Sequence, residues 1–324
     1  MKATARAYAI QGLAKYHGLK NRRMRIPYHD SISVCMKSLP TITTVEFSKG
    51  WSKDVYRING KIPSENERNR LRVVLDSLRR LARQKTLHAR VESRNPPIEG
   101  KGLGYSSSGF AALGLASATA LGMSFRPKML SQIVRLGAGS ASRSLVGGFS
   151  IWYANRNGLS YSEQLANEED ISWRTLIVPV PSSVKTDSAH KDALSSPFYT
   201  ARLAYMKRLI PKMKAAITKR DAGEISRLAE IDTLNLHAVT MTGNAGMVLF
   251  SPSSIRIIDQ VRRIRDEEDI PVWYSLDTGP SVFVNTLPDA ASKVARRLEK
   301  ALVDSTPVIS RVGGSADLLD KHLF

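Results

Sequence analysis

Three charged residues are set where their side chains could meet a small anionic ligand. Asp277 ends an apolar run just before a Gly-Pro turn, and strand ends followed by turns place side chains in clefts. Arg143 is the single cation in a stretch of small residues over 137–148, and its planar fork suits a carboxylate or phosphate. Lys15 lies close to His17 in a short segment that begins and ends with glycine.

The residues alone leave simpler interpretations open. Asp277 could cap its own turn, as aspartates often do, and Arg143 could form an ion pair within the fold. For Lys15 and His17 the sequence favours a surface position, solvated or hydrogen-bonded. No set of histidines or cysteines has the spacing of metal ligands, so we predict that no metal is bound by protein side chains.

A loop rich in glycine and serine, residues 100–109, is the next candidate. Glycine amides, serine hydroxyls and the start of the following helix can together hold an anion. The loop matches neither a Walker loop nor a dinucleotide-binding fingerprint, and a turn needed only for tight packing remains the alternative. The candidate ligand-binding residues of the loop are Gly104, Ser106, Ser107 and Ser108.

Alternating and helical hydrophobic patterns predict the elements that position these residues. The predicted strands are 32–36, 41–47, 55–58 with an Asn59-Gly60 turn, 88–92, 149–154, 173–180, 272–276, 282–285 and 308–311. The predicted helices are 66–85, the segment that follows the 100–109 loop, 127–136, 200–219, 222–239, 253–267 and 288–302. Pro211 should kink or divide its helix. Prolines and serines near residue 181 predict two domains, 1–181 and 182–324.

Charge and composition limit the possible partners. The 324 residues include 48 lysines and arginines against 29 aspartates and glutamates, a net charge of +19 that calls for an anionic partner. With 42% hydrophobic residues the chain can build a core, which excludes a disordered basic tail. No apolar run could span a membrane, and Cys35 alone forms no internal disulfide, so we expect a cytoplasmic protein. A nucleic-acid-binding protein is a remote alternative, because basic residues are not interleaved with stacking aromatics.

Taken in chain order, several segments resemble the GHMP kinase superfamily, and specifically its mevalonate diphosphate decarboxylase branch. The matching segments are Lys15-Tyr-His-Gly18, Ile26-Pro27, Asp30-Ser-Ile-Ser-Val34, Asn66-Glu-Arg-Asn69, Asn95-Pro-Pro97, residues 102–113, Gly139-Ser-Ala-Ser-Arg-Ser-Leu145 and Asp277-Thr-Gly-Pro280. The resemblance implies an α+β fold of two domains. A strand-rich N-terminal domain and a ferredoxin-like C-terminal domain would enclose the active site in a cleft.

The resemblance also assigns roles to individual residues. Asp277 matches the catalytic aspartate, Arg143 the arginine that holds the substrate carboxylate, and Lys15 the active-site lysine. The implied substrate contacts are Ser140, Arg68 at the phosphate end, Lys20, and Gly104, Ser106, Ser107 and Ser108 of the loop. Homodimers are common among these relatives, so a homodimer is possible here.

Two departures from the family pattern favour one reaction among those of the branch. Leu19 stands where the diphosphate enzymes have a lysine that grips the diphosphate, with Lys20 one residue later. Tyr105 puts a phenol where a small hydroxyl would approach ATP phosphates, and we expect it to obstruct that site. These changes favour ATP-independent decarboxylation of mevalonate 3,5-bisphosphate to isopentenyl phosphate, CO2 and phosphate, with no cofactor. The alternative is an ATP-dependent diphosphomevalonate or phosphomevalonate decarboxylase using ATP and Mg. A kinase is disfavoured by Asp277, Arg143 and Lys15 together.

Overall fold

Two β-sheets and the helices packed on them form the frame of the computed structural model, which describes residues 1–100, 102–181, 186–302 and 306–324. The strands are β1 Lys2–Ala14, β2 Leu19–Asn21, β3 Ile26–Pro27, β4 Ser31–Ser48, β5 Val55–Ile58, β6 His88–Arg94, β7 Phe149–Arg156, β8 Leu159–Ala166, β9 Arg174–Val178, β10 Val272–Ser275, β11 Val282–Thr286, β12 Val308–Ser310 and β13 Asp317–Leu319. The α-helices are α1 Glu65–Leu81, α2 Tyr105–Ala120, α3 Pro127–Val134, α4 Ala141–Val146, α5 Thr186–Asp192, α6 Tyr199–Thr218, α7 Ala222–Met241, α8 Pro252–Glu268 and α9 Pro288–Ala301.

The larger sheet is built on the pairing of the two longest strands, β1 and β4. Its order is β13-β1-β4-β6-β5, and β7 extends it by pairing with both β4 and β8. The pairs are antiparallel except β5 with β6, which run parallel because α1 connects them. Helices α1 and α2 bury an apolar face against this sheet, where Val45, Leu75 and Leu113 belong to one core cluster.

Helix α1 shows how the sequence sets the local structure. Ser64 and Glu67 form a capping box that satisfies the free amides at the helix start. Leu71, Val74, Leu75 and Leu78 then recur every three or four residues and are buried, while most of the arginines between them face outwards. The helix predicted over 66–85 is thus confirmed.

The smaller sheet has the order β10-β11-β9-β12, and its strands pair antiparallel. Helices α8 and α9 cover one side with a separate core cluster that includes Val261, Tyr274 and Leu298. Helix α7 contacts both β1 of the larger sheet and β10 of the smaller one, and α6 packs beside it. These two helices therefore connect the parts of the molecule that carry Lys15 and Asp277.

The α+β class is confirmed, but several local predictions are wrong. The strands predicted over 32–36 and 41–47 form one strand, β4, because Pro40 is accommodated where the pairing with β1 shifts register. Asn59 and Gly60 make a tight turn with φ of 50° and 76°, yet β5 forms no hairpin and pairs in parallel with β6. Helix α6 continues through Pro211 without division. The strands β1, β8 and β13 and the helices α4 and α5 were not predicted.

Each sheet contains strands from both sides of the predicted domain boundary. Strand β9 precedes residue 182 in sequence but lies inside the smaller sheet, and β13 returns from the C-terminal part to pair with β1. A division into residues 1–181 and 182–324 stays a prediction. Among the described residues, no helix is both long and apolar enough to cross a membrane.

Candidate active site

Lys15, Arg143 and Asp277 meet where the two sheets approach each other. Lys15 follows the end of β1, Arg143 lies in the middle of α4, and Asp277 begins the turn after β10. The Asp277 carboxylate interacts electrostatically with both cations. The structure therefore brings the three residues predicted to be catalytic into one site, with two cations against one carboxylate.

Asp277 is held by the backbone of β1. Both of its carboxylate oxygens accept a hydrogen bond from the Gly12 amide at 3.1 Å, so the side chain does not cap its own turn. Burial raises the pKa of Asp277 to about 6, although Lys15, the Gly12 amide and Arg143 each favour the ionised form. The site therefore contains a carboxylate that changes charge close to neutral pH.

Lys15 is buried, so the surface position favoured by the sequence is wrong, and His17 is fully buried as well. The Lys15 Nζ donates to Thr233 Oγ1 at 3.0 Å and to the Ala229 carbonyl at 3.4 Å, and lies 3.9 Å from Asp232 Oδ2. Burial lowers the pKa of Lys15, against the opposing effects of the Asp232 and Asp277 carboxylates. The two carboxylates therefore favour the charged ammonium and oppose part of the effect of burial.

Arg143 is a buried cation that forms no salt bridge with a described residue, although the nearby Asp277 carboxylate favours its charged form. One guanidinium nitrogen donates to the Ser31 hydroxyl, and the group lies 5.6 Å from the Tyr16 ring and 5.8 Å from the Trp152 ring. Its Nε has no hydrogen-bond partner among the described residues, and burial lowers the pKa of Arg143 to about 10. Asp277 offsets part of the cost of burying this charge, and the guanidinium retains hydrogen-bonding capacity that an anionic ligand could use.

The glycine-rich loop packs against both sides of this site. Gly104 has a φ of 78°, and a side chain there would come within 2.7 Å of the Ile10 carbonyl oxygen of β1. Gly102 lies against the backbone of Gly279 in the Asp277 turn. Tight packing therefore explains these two glycines, and it also places the start of α2 beside the catalytic turn.

The three serines of the loop have different surroundings. Ser106 is exposed in the first turn of α2, where it can reach a ligand. The Ser107 hydroxyl is buried and bonded to the Gly104 carbonyl and the Ile10 amide. The Ser108 hydroxyl is buried between Thr41 and the Tyr105 carbonyl. Both hydroxyls thus anchor the helix to the larger sheet, and a role of Ser107 and Ser108 in binding substrate stays a prediction.

Tyr105 occupies the first position of α2. Its hydroxyl donates to the Ile98 carbonyl at 3.2 Å, and its ring packs against a small apolar cluster that includes Leu103. Burial raises the pKa of Tyr105 to about 12, so the phenol stays protonated. With Asn59, Gly60, Glu92 and residues 94–100 it lines a cavity of about 700 Å³. The phenol thus ties the helix start to the segment that precedes the loop.

Three further residues are predicted to contact the substrate. Ser140 precedes the first residue of α4, one turn from Arg143. Arg68 is partly buried on α1, and Lys20 is exposed on β2. No hydrogen bond or ion pair between described residues links Arg68 or Lys20 to the three central residues. Their roles stay predictions, as does the match of Ser188 and Ser196 to the family's serine-rich loop. Ser182 and Ser183 of that loop fall outside the described residues.

The buried partners of Lys15 were not predicted. Asp232 accepts a hydrogen bond from the Lys15 backbone amide at 2.8 Å, and Arg202 donates one to the Lys15 carbonyl at 2.6 Å. One signal was available in the sequence, because each charge stands on the apolar face of its helix. Charged residues are almost never fully buried unless they are paired.

Both halves of the chain match models of known families. Residues 7–163 match the diphosphomevalonate decarboxylase-like N-terminal domain, and residues 182–319 match the mevalonate 5-diphosphate decarboxylase C-terminal domain. A phosphomevalonate decarboxylase from Haloferax volcanii is 39% identical over 322 residues, covering 99% of this chain and 98% of the relative. The chain belongs to the phosphomevalonate and diphosphomevalonate decarboxylase family. Members of this family are carboxy-lyases, so the chain is an enzyme of that class.

Solved structures of the family agree with the fold. The mevalonate diphosphate decarboxylase from Enterococcus faecalis superposes with a TM-score of 0.91 at 28% identity, covering 99% of each chain. The enzyme from Staphylococcus aureus gives a TM-score of 0.91 at 26% identity over 98% of each chain. The predicted resemblance to the mevalonate decarboxylase branch and its two-domain fold are thereby confirmed.

Proposed function

We propose that the chain removes the carboxylate and the 3-phosphate of mevalonate 3,5-bisphosphate without a nucleotide, giving isopentenyl phosphate, CO2 and phosphate. The observation that carries decarboxylation is the buried site in which Asp277 faces both Lys15 and Arg143. A phosphorylated small molecule as substrate is in keeping with relatives named phosphomevalonate and diphosphomevalonate decarboxylase.

The proposed reaction moves two electron pairs and needs no oxidant. The bond between C3 and the phosphate oxygen breaks, its electrons leave with the phosphate, and C3 becomes electron-poor. The bond between C1 and C2 then breaks, and its electrons form the C2–C3 double bond while CO2 departs. Asp277, when ionised, stabilises the positive charge that develops at C3.

The two cations have separate parts in this reaction. Arg143 forms no salt bridge with a described residue and holds the substrate carboxylate in a fixed orientation. Lys15 neutralises the departing phosphate and keeps Asp277 ionised, since a nearby opposite charge lowers a carboxyl pKa. Ser106 and the amides at the start of α2 are candidates for binding the 3-phosphate, and Arg68 and Lys20 for the 5-phosphate.

Independence from ATP rests on Tyr105. Its ring and its hydrogen bond to Ile98 take up space at the start of α2, where a phosphate-binding loop would need an open helix end. The Ser107 and Ser108 hydroxyls are engaged inside the protein. The proposed reaction therefore uses no magnesium nucleotide.

A second candidate is decarboxylation of phosphomevalonate with ATP. It is favoured by the 39% identical relative from Haloferax volcanii, which is named phosphomevalonate decarboxylase. In that case Asp277 would also accept the proton of the 3-hydroxyl, as a group with a pKa near neutrality can do.

A substrate panel separates the two candidates. The purified chain is given mevalonate 3,5-bisphosphate, phosphomevalonate or diphosphomevalonate, each with and without ATP and Mg, and CO2 is measured. We expect release from the bisphosphate alone, with no stimulation by ATP. Release only from phosphomevalonate or diphosphomevalonate with ATP would reverse the order of the candidates. The variant Tyr105→Ser, which opens the loop, should gain measurable ATP binding by calorimetry while the wild type shows none.

A further inference from the structure

The most heavily buried ion pair of the described residues lies directly behind Lys15. Arg202 and Asp232 are joined at 3.1 Å, and both side chains are 0% exposed. Neither residue belongs to the predicted catalytic set, and neither could reach a ligand in the site. A buried ion pair is weak evidence for stability, because the cost of removing two charges from water offsets much of their attraction. Its position therefore calls for another explanation.

This pair holds Lys15 at three points. Asp232 Oδ2 accepts the Lys15 amide at 2.8 Å and lies 3.9 Å from its Nζ. Arg202 donates to the Lys15 carbonyl at 2.6 Å and to the Asn235 side chain at 2.6 Å. Thr233, the neighbour of Asp232 on α7, accepts a hydrogen bond from Lys15 Nζ at 3.0 Å. Backbone and ammonium of Lys15 are thus both fixed to α6 and α7.

We propose that Asp232, itself held by Arg202, is a positioning residue that keeps the Lys15 ammonium charged beside Asp277. It thereby sets the balance of positive and negative charge at the reacting site. The proposal rests on the proposed decarboxylase function, in which Lys15 acts as a cation and Asp277 as an anion. Asp232 acts through Lys15 and does not touch the reacting atoms.

The direction of the effect follows from the charges around the site. The negative charge of Asp232 raises the pKa of Lys15, because it favours the ammonium, and raises the pKa of Asp277, because it opposes a second carboxylate. Without that charge both pKa values fall. If the active form needs Asp277 ionised and Lys15 protonated, both limbs of the pH profile of kcat/KM must move to lower pH.

Other groups that face these residues do not reverse this direction. The charged and titratable neighbours of Lys15, Asp232 and Asp277 are Arg202 and Tyr205 on α6, His237 on α7, Arg143 on α4 and His29 before β4. Burial lowers the pKa of His237 to about 3 and that of His29 to about 4. Both imidazoles are therefore neutral over the pH range in which Asp277 ionises.

The variant Asp232→Asn tests the proposal, since it keeps the shape of the side chain and removes its charge. On the substrate that the wild type decarboxylates, both limbs of kcat/KM should move to lower pH by an amount on the order of one pH unit. The control is Asp54→Asn, which breaks the buried pair between Asp54 and Arg79 at 2.5 Å, away from the site. That control should lower the melting temperature and leave both limbs in place.

A second variant covers the case in which Asp232→Asn fails to fold. Thr233→Val removes the hydrogen bond to Lys15 Nζ without leaving a charge unpaired, and it should move the alkaline limb alone to lower pH. Limbs that stay at the wild-type pH in a folded Asp232→Asn, or an unmoved alkaline limb in Thr233→Val, would overturn the proposal. A wild type that decarboxylates no mevalonate derivative would instead overturn the proposed function.

Discussion

The chemistry at the residue scale depends on a carboxylate that is ionised although it is buried. Two cations and the Gly12 amide favour the charged form of Asp277, while burial raises its pKa to about 6. A free aspartate has a pKa near 3.9, so the protein has moved this group towards neutrality without making it a stable acid. A group tuned in this way is typical of an active site.

The pH profile follows from this shift. If ionised Asp277 stabilises the positive charge at C3, kcat/KM should fall about tenfold per pH unit below pH 6. Phosphate groups of the substrate also titrate near pH 6, so a shift of this limb in Asp232→Asn identifies it as a property of the enzyme. A profile that stays flat down to pH 4 would contradict the role of Asp277.

Replacing Arg143 by lysine keeps the charge but removes the planar fork. Loss of one charge-assisted hydrogen bond of about 1.5–3 kcal/mol should lower kcat/KM between about 10-fold and 150-fold. Steady-state kinetics measures the effect, and Arg263→Lys, an exposed i,i+4 partner of Asp259 on α8, is the matched control. An Arg143→Lys variant as active as that control would show that the buried guanidinium does not hold the carboxylate.

The sequence predicted Asp277, Arg143 and Lys15 because their motifs are local, short and in a fixed order. It could not predict their partners, since Asp232, Arg202 and Ser31 meet them only through the fold. The surroundings of Ser107 and Ser108 could not be predicted either. They belong to a motif typical of phosphate binding, and in the fold their hydroxyls bond to Ile10 of β1 and Thr41 of β4.

At the scale of elements, the end of β1 contacts two of the residues predicted to be catalytic, Asp277 and Lys15. Gly12 donates its amide to Asp277, and a side chain at this position would lie 2.9 Å from the Asp277 carboxylate and 2.8 Å from Lys15 Cγ. Only glycine therefore allows strand, lysine and aspartate to approach so closely.

Gly12→Ala should accordingly reduce kcat far more than it reduces stability. Overpacking of this kind costs about 1–3 kcal/mol of unfolding free energy, whereas displacement of Asp277 and Lys15 should lower kcat by about 100-fold or more. Gly109→Ala in α2 is the control, because nothing lies within 4 Å of the added carbon, and it should stabilise the helix slightly. Wild-type kcat in a folded Gly12→Ala would contradict the importance of this contact.

Clear hydrophobic periodicity made α1, α8 and α9 predictable, whereas β1 and α4 were missed for physical reasons. Strand β1 is buried along nearly its whole length and lacks simple alternation, so its pattern did not indicate a strand. Helix α4 is six residues long and rich in serine and glycine neighbours, and tertiary packing rather than propensity stabilises it.

For the whole molecule, the charge of +19 now has a more specific meaning. Lys15 and Arg143 are buried in the site, while most other cations lie on the surface. A positive surface attracts anions to the cleft over a distance that salt shortens. We expect kcat/KM to fall as ionic strength rises from about 0.01 M to about 0.3 M, with little change in kcat. Equal effects on kcat and kcat/KM would show that salt acts on the site and not on the approach of the substrate.

The two sheets and the helix pair between them form one frame for the proposed reaction, which needs no second substrate. Release of CO2 from mevalonate 3,5-bisphosphate in nucleotide-free buffer, by the wild type and by Asp277→Asn, tests this account most directly. The account predicts one CO2 and one phosphate per substrate from the wild type, and at least a thousandfold slower release from a folded Asp277→Asn, on the order expected for a group acting on the transition state. Similar rates for the two proteins, or no release by the wild type until ATP is added, would contradict it.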